Sequence, residues 1–121
     1  MRLFIADDSE ILRSRLCELL SEIEGITIVG QAKDCLSCIE AVQILKPDVV
    51  ILDIRIPGGD GILVLEAIKK CKNPPKVIMF TNYPYLQYRK RCLDVGADFF
   101  FYKAKEFEQL VEVVKGLRVA V

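Results

Sequence analysis

Histidine is absent from this 121-residue sequence, and its five cysteines include only one closely spaced pair. The pair is Cys35 and Cys38 in a CxxC pattern, whereas Cys17, Cys71 and Cys92 are isolated. A structural zinc site takes four ligands, and no second ligand pair is evident. An odd number of cysteines without a secretory signal also argues against a disulfide framework. We therefore expect reduced thiols that are mostly buried.

Excess charge and long apolar runs are also lacking. Lys and Arg together number 17, as do Asp and Glu, so the formal net charge is zero and no overall field draws the chain toward nucleic acid. No stretch approaches the roughly 18 apolar residues that are needed to cross a bilayer. The length and the 52% content of hydrophobic residues fit one globular domain. We expect a single cytoplasmic domain over residues 1–121 that contacts neither membrane nor nucleic acid directly.

Apolar runs of strand length alternate along the chain with segments of helical period, which is typical of βαβ units in a parallel sheet. The run at 49–52 is apolar at every position, as expected for a central parallel strand that is covered on both faces. The pattern predicts an α/β fold with five parallel strands. These predicted strands are Leu3–Ala6, Ile26–Val29, Val49–Leu52, Val77–Phe80 and Phe99–Tyr102.

Five helices are predicted between and after these strands. Ser9 is placed to cap the first helix, and Gly25 is placed to close it. The second helix ends before Pro47, and the fourth has Pro84 in its first turn. Apolar residues of helical period at 62–68 and 107–117 mark the third and the fifth helix.

Polar or charged residues stand directly after four of the predicted strands. They are Asp7 and Asp8 after the first strand, Asp53 after the third, Thr81 after the fourth and Lys103 after the fifth. Because the carboxyl ends of parallel strands share one edge, these side chains should converge there. Clustered carboxylates repel one another unless a cation neutralises them, and Mg²⁺ prefers such hard oxygen ligands. Asp53 can then attack phosphorus as a nucleophile, with the ammonium and hydroxyl groups beside the transferring group.

With Pro57 four residues and Gly61 eight residues after Asp53, this pattern resembles that of the receiver domains of response regulators, including chemotaxis regulators. The resemblance covers essentially the whole chain. It implies a flavodoxin-like, doubly wound sheet of strand order 2-1-3-4-5 with helices on both faces. It also implies a phosphorylation switch of a two-component system, in which Asp53 accepts a phosphoryl group from a histidine kinase or phosphotransfer protein. Such a domain is not an enzyme beyond assisting its own phosphorylation and autodephosphorylation.

The same resemblance implies a role for each residue of the predicted site. Asp8, Asp53 and the backbone carbonyl of Arg55 are implied to bind Mg²⁺, with Asp7 acting mainly through water. Thr81 and Lys103 are implied to hold phosphoryl oxygens.

A conformational switch is implied as well. In such domains the Thr, here Thr81, moves inward on phosphorylation, and an aromatic residue three positions before the Lys, here Phe100, follows it. The alternative for Phe100 is a half-buried strand aromatic without a switching role. The expected output surface joins the fourth helix, the fifth strand and the fifth helix, and controls an unknown downstream protein. The chain itself is expected to be a monomer or a phosphorylation-dependent dimer. Its aromatic and basic residues are Tyr85, Tyr88, Phe100, Tyr102 and the run Arg89–Arg91.

Three positions depart from the family pattern. Many receiver domains carry a cis proline after the Lys, but this chain has Ala104, and a cis bond to a non-proline residue costs roughly 3–4 kcal/mol. The bond from Lys103 to Ala104 is therefore expected to be trans or strained. Asn82 stands where a small residue is commoner, and Arg55 lies beside the path of an attacking water. If Arg55 and Tyr83 shield the phosphoryl group, we expect slow autodephosphorylation.

Several alternatives remain open at this point. A magnesium-dependent phosphatase of the haloacid dehalogenase type also uses a strand-terminal Asp, but it needs a second Asp where Arg55 stands. A flavodoxin-like FMN carrier needs a phosphate-binding first loop, which Asp7 and Asp8 would make repulsive. The chain can be a stand-alone receiver or the receiver part of a longer DNA-binding response regulator. The run Arg89–Arg91 is either a solvated face or a contact for an acidic partner surface.

Overall fold

Five strands alternate with five helices in the computed structural model, which describes residues 1–83 and 85–120. The strands are β1 (Arg2–Ala6), β2 (Thr27–Ala32), β3 (Val49–Leu52), β4 (Lys76–Thr81) and β5 (Phe99–Tyr102). The helices are α1 (Glu10–Ser21), α2 (Cys35–Leu45), α3 (Gly61–Lys69), α4 (Leu86–Val95) and α5 (Phe107–Ala120). The predicted element order is confirmed.

All neighbouring strands of the sheet pair in parallel, in the order β2-β1-β3-β4-β5. The strand order reverses between β1 and β3, which is where ligand clefts open beyond the carboxyl ends of the strands. Every residue of β3 is buried, because helices cover both faces of this central strand. The predicted doubly wound fold and strand order are confirmed.

Alternate residues of the strands feed two apolar cores, one on each face of the sheet. Phe4 and Val50 belong to the core that also holds buried residues of α2, α3 and α4. Leu3 and Ile51 belong to the opposite core, with buried residues of α1 and α5. This follows from the two-residue period of a strand, which sends successive side chains to opposite faces.

The ends of the first and fourth helices differ in part from the sequence-based expectation. Ser9 caps α1 as predicted, since its hydroxyl oxygen accepts from the backbone N–H of Leu12 at 3.2 Å. The prediction that Gly25 closes this helix is wrong, because α1 ends at Ser21. Gly25 lies farther along the turn toward β2 with φ +88°, a conformation that favours glycine. Pro84, predicted in the first turn of α4, lies outside the described residues.

The thiols are largely buried, as predicted. Cys35, Cys38 and Cys92 lie in the core, and Cys17 and Cys71 are partly exposed; all five are free. Burial raises the pKa of Cys38 to about 12 and that of Cys92 to about 11. Such protonated, buried thiols are poor nucleophiles and poor metal ligands, which supports the structural role expected for them.

Gly61, the first residue of α3, allows the loop after β3 to fold back closely. Its N–H donates to the carbonyl oxygen of Ile54 at 2.6 Å. A Cβ atom on Gly61 would overlap the carbonyl oxygen of Asp53 and lie 2.8 Å from Cα of Ile54. Both neighbours are backbone atoms, so neither can move away without shifting the loop that carries Asp53.

We expect Gly61→Ala to lower the free energy of unfolding by about 1–3 kcal/mol, the usual range for a steric clash in a packed region. Gly116→Ala is the matched control, because a Cβ there meets no atom within 4 Å. That control should raise stability by roughly 0.5–1 kcal/mol, since alanine is the better helix former. Urea unfolding of both variants checks this. Equal effects of the two substitutions would contradict the steric role of Gly61.

Candidate functional site

The predicted site residues meet at one edge of the sheet. The backbone N–H of Asp7 donates to the carbonyl of Ala32 at 3.0 Å, and that of Asp53 donates to the carbonyl of Ala6 at 3.1 Å. On the other side, the N–H of Lys103 donates to the carbonyl of Thr81 at 2.9 Å. These bonds extend the strand pairing past the ends of β1, β3 and β5. The backbone of each residue is therefore fixed by the sheet itself.

The ammonium group of Lys103 bridges two carboxylates from different strands. Its Nζ atom lies 2.7 Å from Oδ2 of Asp53 and 2.6 Å from Oδ2 of Asp7. The Lys103 side chain is 14% exposed and the two carboxylates are less exposed still. Residues 50 and 96 positions apart in the sequence are thus joined by charge-assisted hydrogen bonds in a poorly solvated place.

Burial and charge pairing act in opposite directions on these groups. Burial raises the pKa of Asp7 above its usual value of 3.8, and the hydrogen bonds from Lys103 and from the N–H of Ser9 offset this only in part. Burial alone would lower the pKa of Lys103, but its hydrogen bonds to Asp53 and Asp7 outweigh that effect and raise it. Lys103 is therefore held as a cation. The hydrogen bonds to Asp7, by contrast, do not fully offset the cost of burying its ionised form.

The three acidic residues form a cluster suited to a divalent cation. One carboxylate oxygen from each of Asp7, Asp8 and Asp53 lies within 4.8 Å of the others. Asp7 and Asp53 are buried, whereas Asp8 is exposed. Three carboxylates facing the single ammonium of Lys103 leave excess negative charge, and this oxygen donor set matches the preference of Mg²⁺. The backbone of Arg55 is close by, since its N–H donates to Oδ1 of Asp53 at 3.3 Å.

A cleft of about 510 Å³ opens above these groups. Thr81 is 1% exposed, and its hydroxyl oxygen accepts from the N–H of Tyr83 at 3.2 Å. The structure thus brings together the predicted acids, the hydroxyl and the ammonium. The cleft is lined by Asp8, Asp53, Arg55, Thr81, Asn82, Tyr83, Tyr85 and Lys103.

Phe100 lies away from the cleft and inside the protein. It is 3% exposed and packs edge to face on Tyr102, with ring centroids 5.3 Å apart. The guanidinium of Arg89 lies 5.8 Å from its centroid. Placing Phe100 among the surface aromatics was therefore wrong, because the side chain points into the core that α4 covers.

The turn after Lys103 is not strained by a cis bond. No cis peptide occurs in the described ranges 1–83 and 85–120, so the bond from Lys103 to Ala104 is trans. Of the trans and strained bonds expected in the absence of a proline, the trans bond is the one observed. It follows from the cost of a non-proline cis bond.

Tyr83, Tyr85 and Tyr88 form an aromatic cluster beside the cleft, which the sequence predicts only in part. The ring of Tyr83 packs on Tyr88 with centroids 4.5 Å apart and on Tyr85 with centroids 5.4 Å apart. The guanidinium of Arg55 lies 5.3 Å from the centroid of Tyr83. The sequence signal was the presence of three tyrosines between positions 83 and 88, but their mutual contacts depend on how the loop meets α4.

Residues 3–115 match the sequence model of the response regulator receiver domain. The chain belongs to the response regulator receiver family. The phosphatase and flavin-carrier alternatives are thereby set aside. Its fold is that of the response regulator domain of CheB from Thermotoga maritima, with a TM-score of 0.86 and 30% identity over 99% of this chain and 94% of that one.

Two curated relatives show the range of proteins in which similar domains occur. This receiver domain is 36% identical, over 98% of its length and 62% of the relative, to the transcriptional regulatory protein YvfU of Bacillus subtilis. It is 31% identical, over 99% of its length and 36% of the relative, to a protein-glutamate methylesterase/protein-glutamine glutaminase of Clostridium acetobutylicum. The chain thus spans only part of each. Within the described residues, no helix is both long and apolar enough to cross a membrane.

Asp7→Asn is expected to raise the free energy of unfolding at neutral pH in metal-free buffer. Because burial raises the pKa of Asp7 in the folded state, the wild type loses stability as the pH rises above 3.8 and this carboxyl ionises. Asn carries no charge, so the gain should shrink as the pH falls through the folded pKa of Asp7 and vanish below 3.8.

Urea unfolding from acidic to neutral pH measures this effect, with the exposed Asp94→Asn as the matched control. A gain from Asp7→Asn that does not depend on pH, or a loss of stability at neutral pH, would contradict the role assigned to burial.

Proposed function

We propose that this receiver domain carries a phosphoryl group reversibly on Asp53 and so controls a partner protein. An oxygen of the Asp53 carboxylate attacks the phosphorus of a donor. A new P–O bond forms, and the bond between phosphorus and the donor breaks, with its electron pair leaving on the donor. A histidine kinase or a phosphotransfer protein is the expected donor.

The ammonium of Lys103 between Asp53 and Asp7 is the observation that carries this proposal. It lies 2.7 Å from the carboxylate that would be phosphorylated, where it can hold a phosphoryl oxygen and stabilise charge during transfer. Thr81 lines the same cleft, so its hydroxyl is within the space that the phosphoryl group would enter.

Mg²⁺ is the proposed cofactor. Asp8, Asp53 and the backbone carbonyl of Arg55 would hold it, and Asp7 would contribute through water. When bound, the ion supplies positive charge that neutralises the carboxylates and orients a phosphoryl oxygen. The excess of carboxylates over ammonium groups in the cluster supports this assignment.

The switch is proposed to run from Thr81 to Phe100. Inward movement of the Thr81 side chain, which ends β4, would let the Phe100 side chain on neighbouring β5 change its packing within the core that it already occupies; Thr81 pairs with Tyr102 in the sheet register. Its consequence would appear on the surface formed by α4, β5 and α5. Phosphorylation shifts such a two-state equilibrium only by the difference in stability that it creates, about tenfold per 1.4 kcal/mol.

The output is proposed from the relatives. A domain of this kind can serve a transcriptional regulatory protein, as in YvfU, or a protein-glutamate methylesterase, as in the Clostridium relative. It can also act alone by binding a partner. The domain itself is proposed to perform no catalysis beyond its own phosphorylation and dephosphorylation.

The basic run Arg89–Arg91 of α4 would face an acidic partner surface. Slow autodephosphorylation stays a prediction.

Acetyl phosphate with Mg²⁺ should add one phosphoryl group to the wild type and none to Asp53→Asn. The expected basis is that Asp53, unlike Asp7, lines the cleft that a phosphodonor would enter and also contacts Lys103 there. Intact mass at successive times measures the gain, and chelation of Mg²⁺ should abolish it. Asp94→Asn, an exposed change on α4, is the matched control and should label as the wild type does. Undiminished labelling of Asp53→Asn would refute the phosphoacceptor assignment.

A further inference from the structure

Three of the four tyrosines of this chain lie in one cluster at the start of α4. The Tyr83 ring is central. It meets Tyr88 edge to face, with an interplanar angle of 86°, and Tyr85 with an angle of 71°. Such perpendicular contacts are a favourable geometry for aromatic pairs. Any movement of the Tyr83 ring must therefore change its packing on Tyr88, which belongs to the first turn of α4.

Tyr83 is also tied to the cleft in two independent ways. Its backbone N–H donates to the hydroxyl oxygen of Thr81, and its ring carries the guanidinium of Arg55 at 5.3 Å. Arg55 and Tyr83 both line the cleft that contains Asp53. The ring of Tyr83 thus connects Arg55, which lines the cleft, to Tyr88 of α4, a helix of the expected output surface.

The contact between Arg55 and Tyr83 is the part that phosphorylation would disturb. A guanidinium over a tyrosine ring at an exposed site is weakly held. A phosphoryl group brings a charge of about −1.5 to −2 and acceptor oxygens that match the fork of an arginine side chain. Arg55 lies two residues after Asp53, so the new charge would appear within the cleft that Arg55 already lines.

We propose that Arg55 is a phosphoryl sensor that releases Tyr83. On phosphorylation its guanidinium leaves the Tyr83 ring for the phosphoryl oxygens, and the Tyr83 ring changes its packing on Tyr88. This gives the chain a route from the cleft to α4 that is separate from the movement of Phe100. The inference rests on the proposed phosphorylation of Asp53. In this proposal Arg55 and Tyr83 are positioning residues, because they act on α4 through the packing of Tyr83 on Tyr88.

The four tyrosines offer a direct readout. Protein labelled with 3-fluorotyrosine should show one ¹⁹F resonance for each tyrosine, assigned with single Tyr→Phe variants. Beryllofluoride with Mg²⁺ serves as the stable phosphoryl mimic. In the wild type we expect the resonances of Tyr83 and Tyr88 to shift when the mimic binds. The resonance of Tyr102, which packs on Phe100, should shift as well and reports that the mimic is bound.

Two variants separate the proposed route from that of Phe100. In Arg55→Met the shifts of Tyr83 and Tyr88 should be lost while that of Tyr102 remains. In Tyr83→Leu the shift of Tyr88 should be lost although Arg55 is intact, which keeps the test decisive if Arg55→Met does not take the mimic.

Three results would overturn the inference. The first is unchanged positions of Tyr83 and Tyr88 in a wild-type protein that binds the mimic. The second is full shifts of both in Arg55→Met, or of Tyr88 in Tyr83→Leu. The third is failure of acetyl phosphate to label Asp53, which would refute the proposed function and this inference with it. The mass measurement distinguishes that last case from the other two.

Discussion

The ammonium group of Lys103, shared between the carboxylates of Asp7 and Asp53, is the interaction on which the site depends. It joins the ends of β1, β3 and β5 across the point where the strand order reverses. Replacing Lys103 by a neutral residue would leave both carboxylates without their counter-charge, and the loss of such a partner from a buried ion pair costs roughly 3–5 kcal/mol. The same arrangement suits phosphoryl transfer, because a phosphoryl group on Asp53 would replace the carboxylate in the contact with Lys103.

Much of the fold could be predicted because the deciding signals are local. The unbroken apolar run of β3 requires cover on both faces, and strands that alternate with helical segments require parallel pairing. Convergence of Asp7, Asp53 and Lys103 then follows, since the carboxyl ends of parallel strands share an edge. No knowledge of individual side-chain contacts was needed for these steps.

Other features depend on contacts that no short segment reveals. Gly25 marks a turn, but the end of α1 is set earlier, at Ser21, by how the chain turns toward β2. Phe100 belongs to a strand of four aromatic residues, and its burial becomes apparent only from the core that the strands form with α2, α3 and α4. The contacts of Tyr83 with Arg55 and Tyr88 join two loops and a helix. These are tertiary arrangements, which propensity and spacing do not specify.

Calorimetric titration of Mg²⁺ tests the central claim most directly, since the cation site and the phosphoacceptor share Asp53. The account predicts that the wild type binds one ion and that Asp8→Asn, which removes the exposed ligand, binds at least about tenfold more weakly, equivalent to 1.4 kcal/mol. Asp94→Asn should bind as the wild type does. Equal affinity of Asp8→Asn and the wild type would contradict the claim that these clustered carboxylates form the metal site.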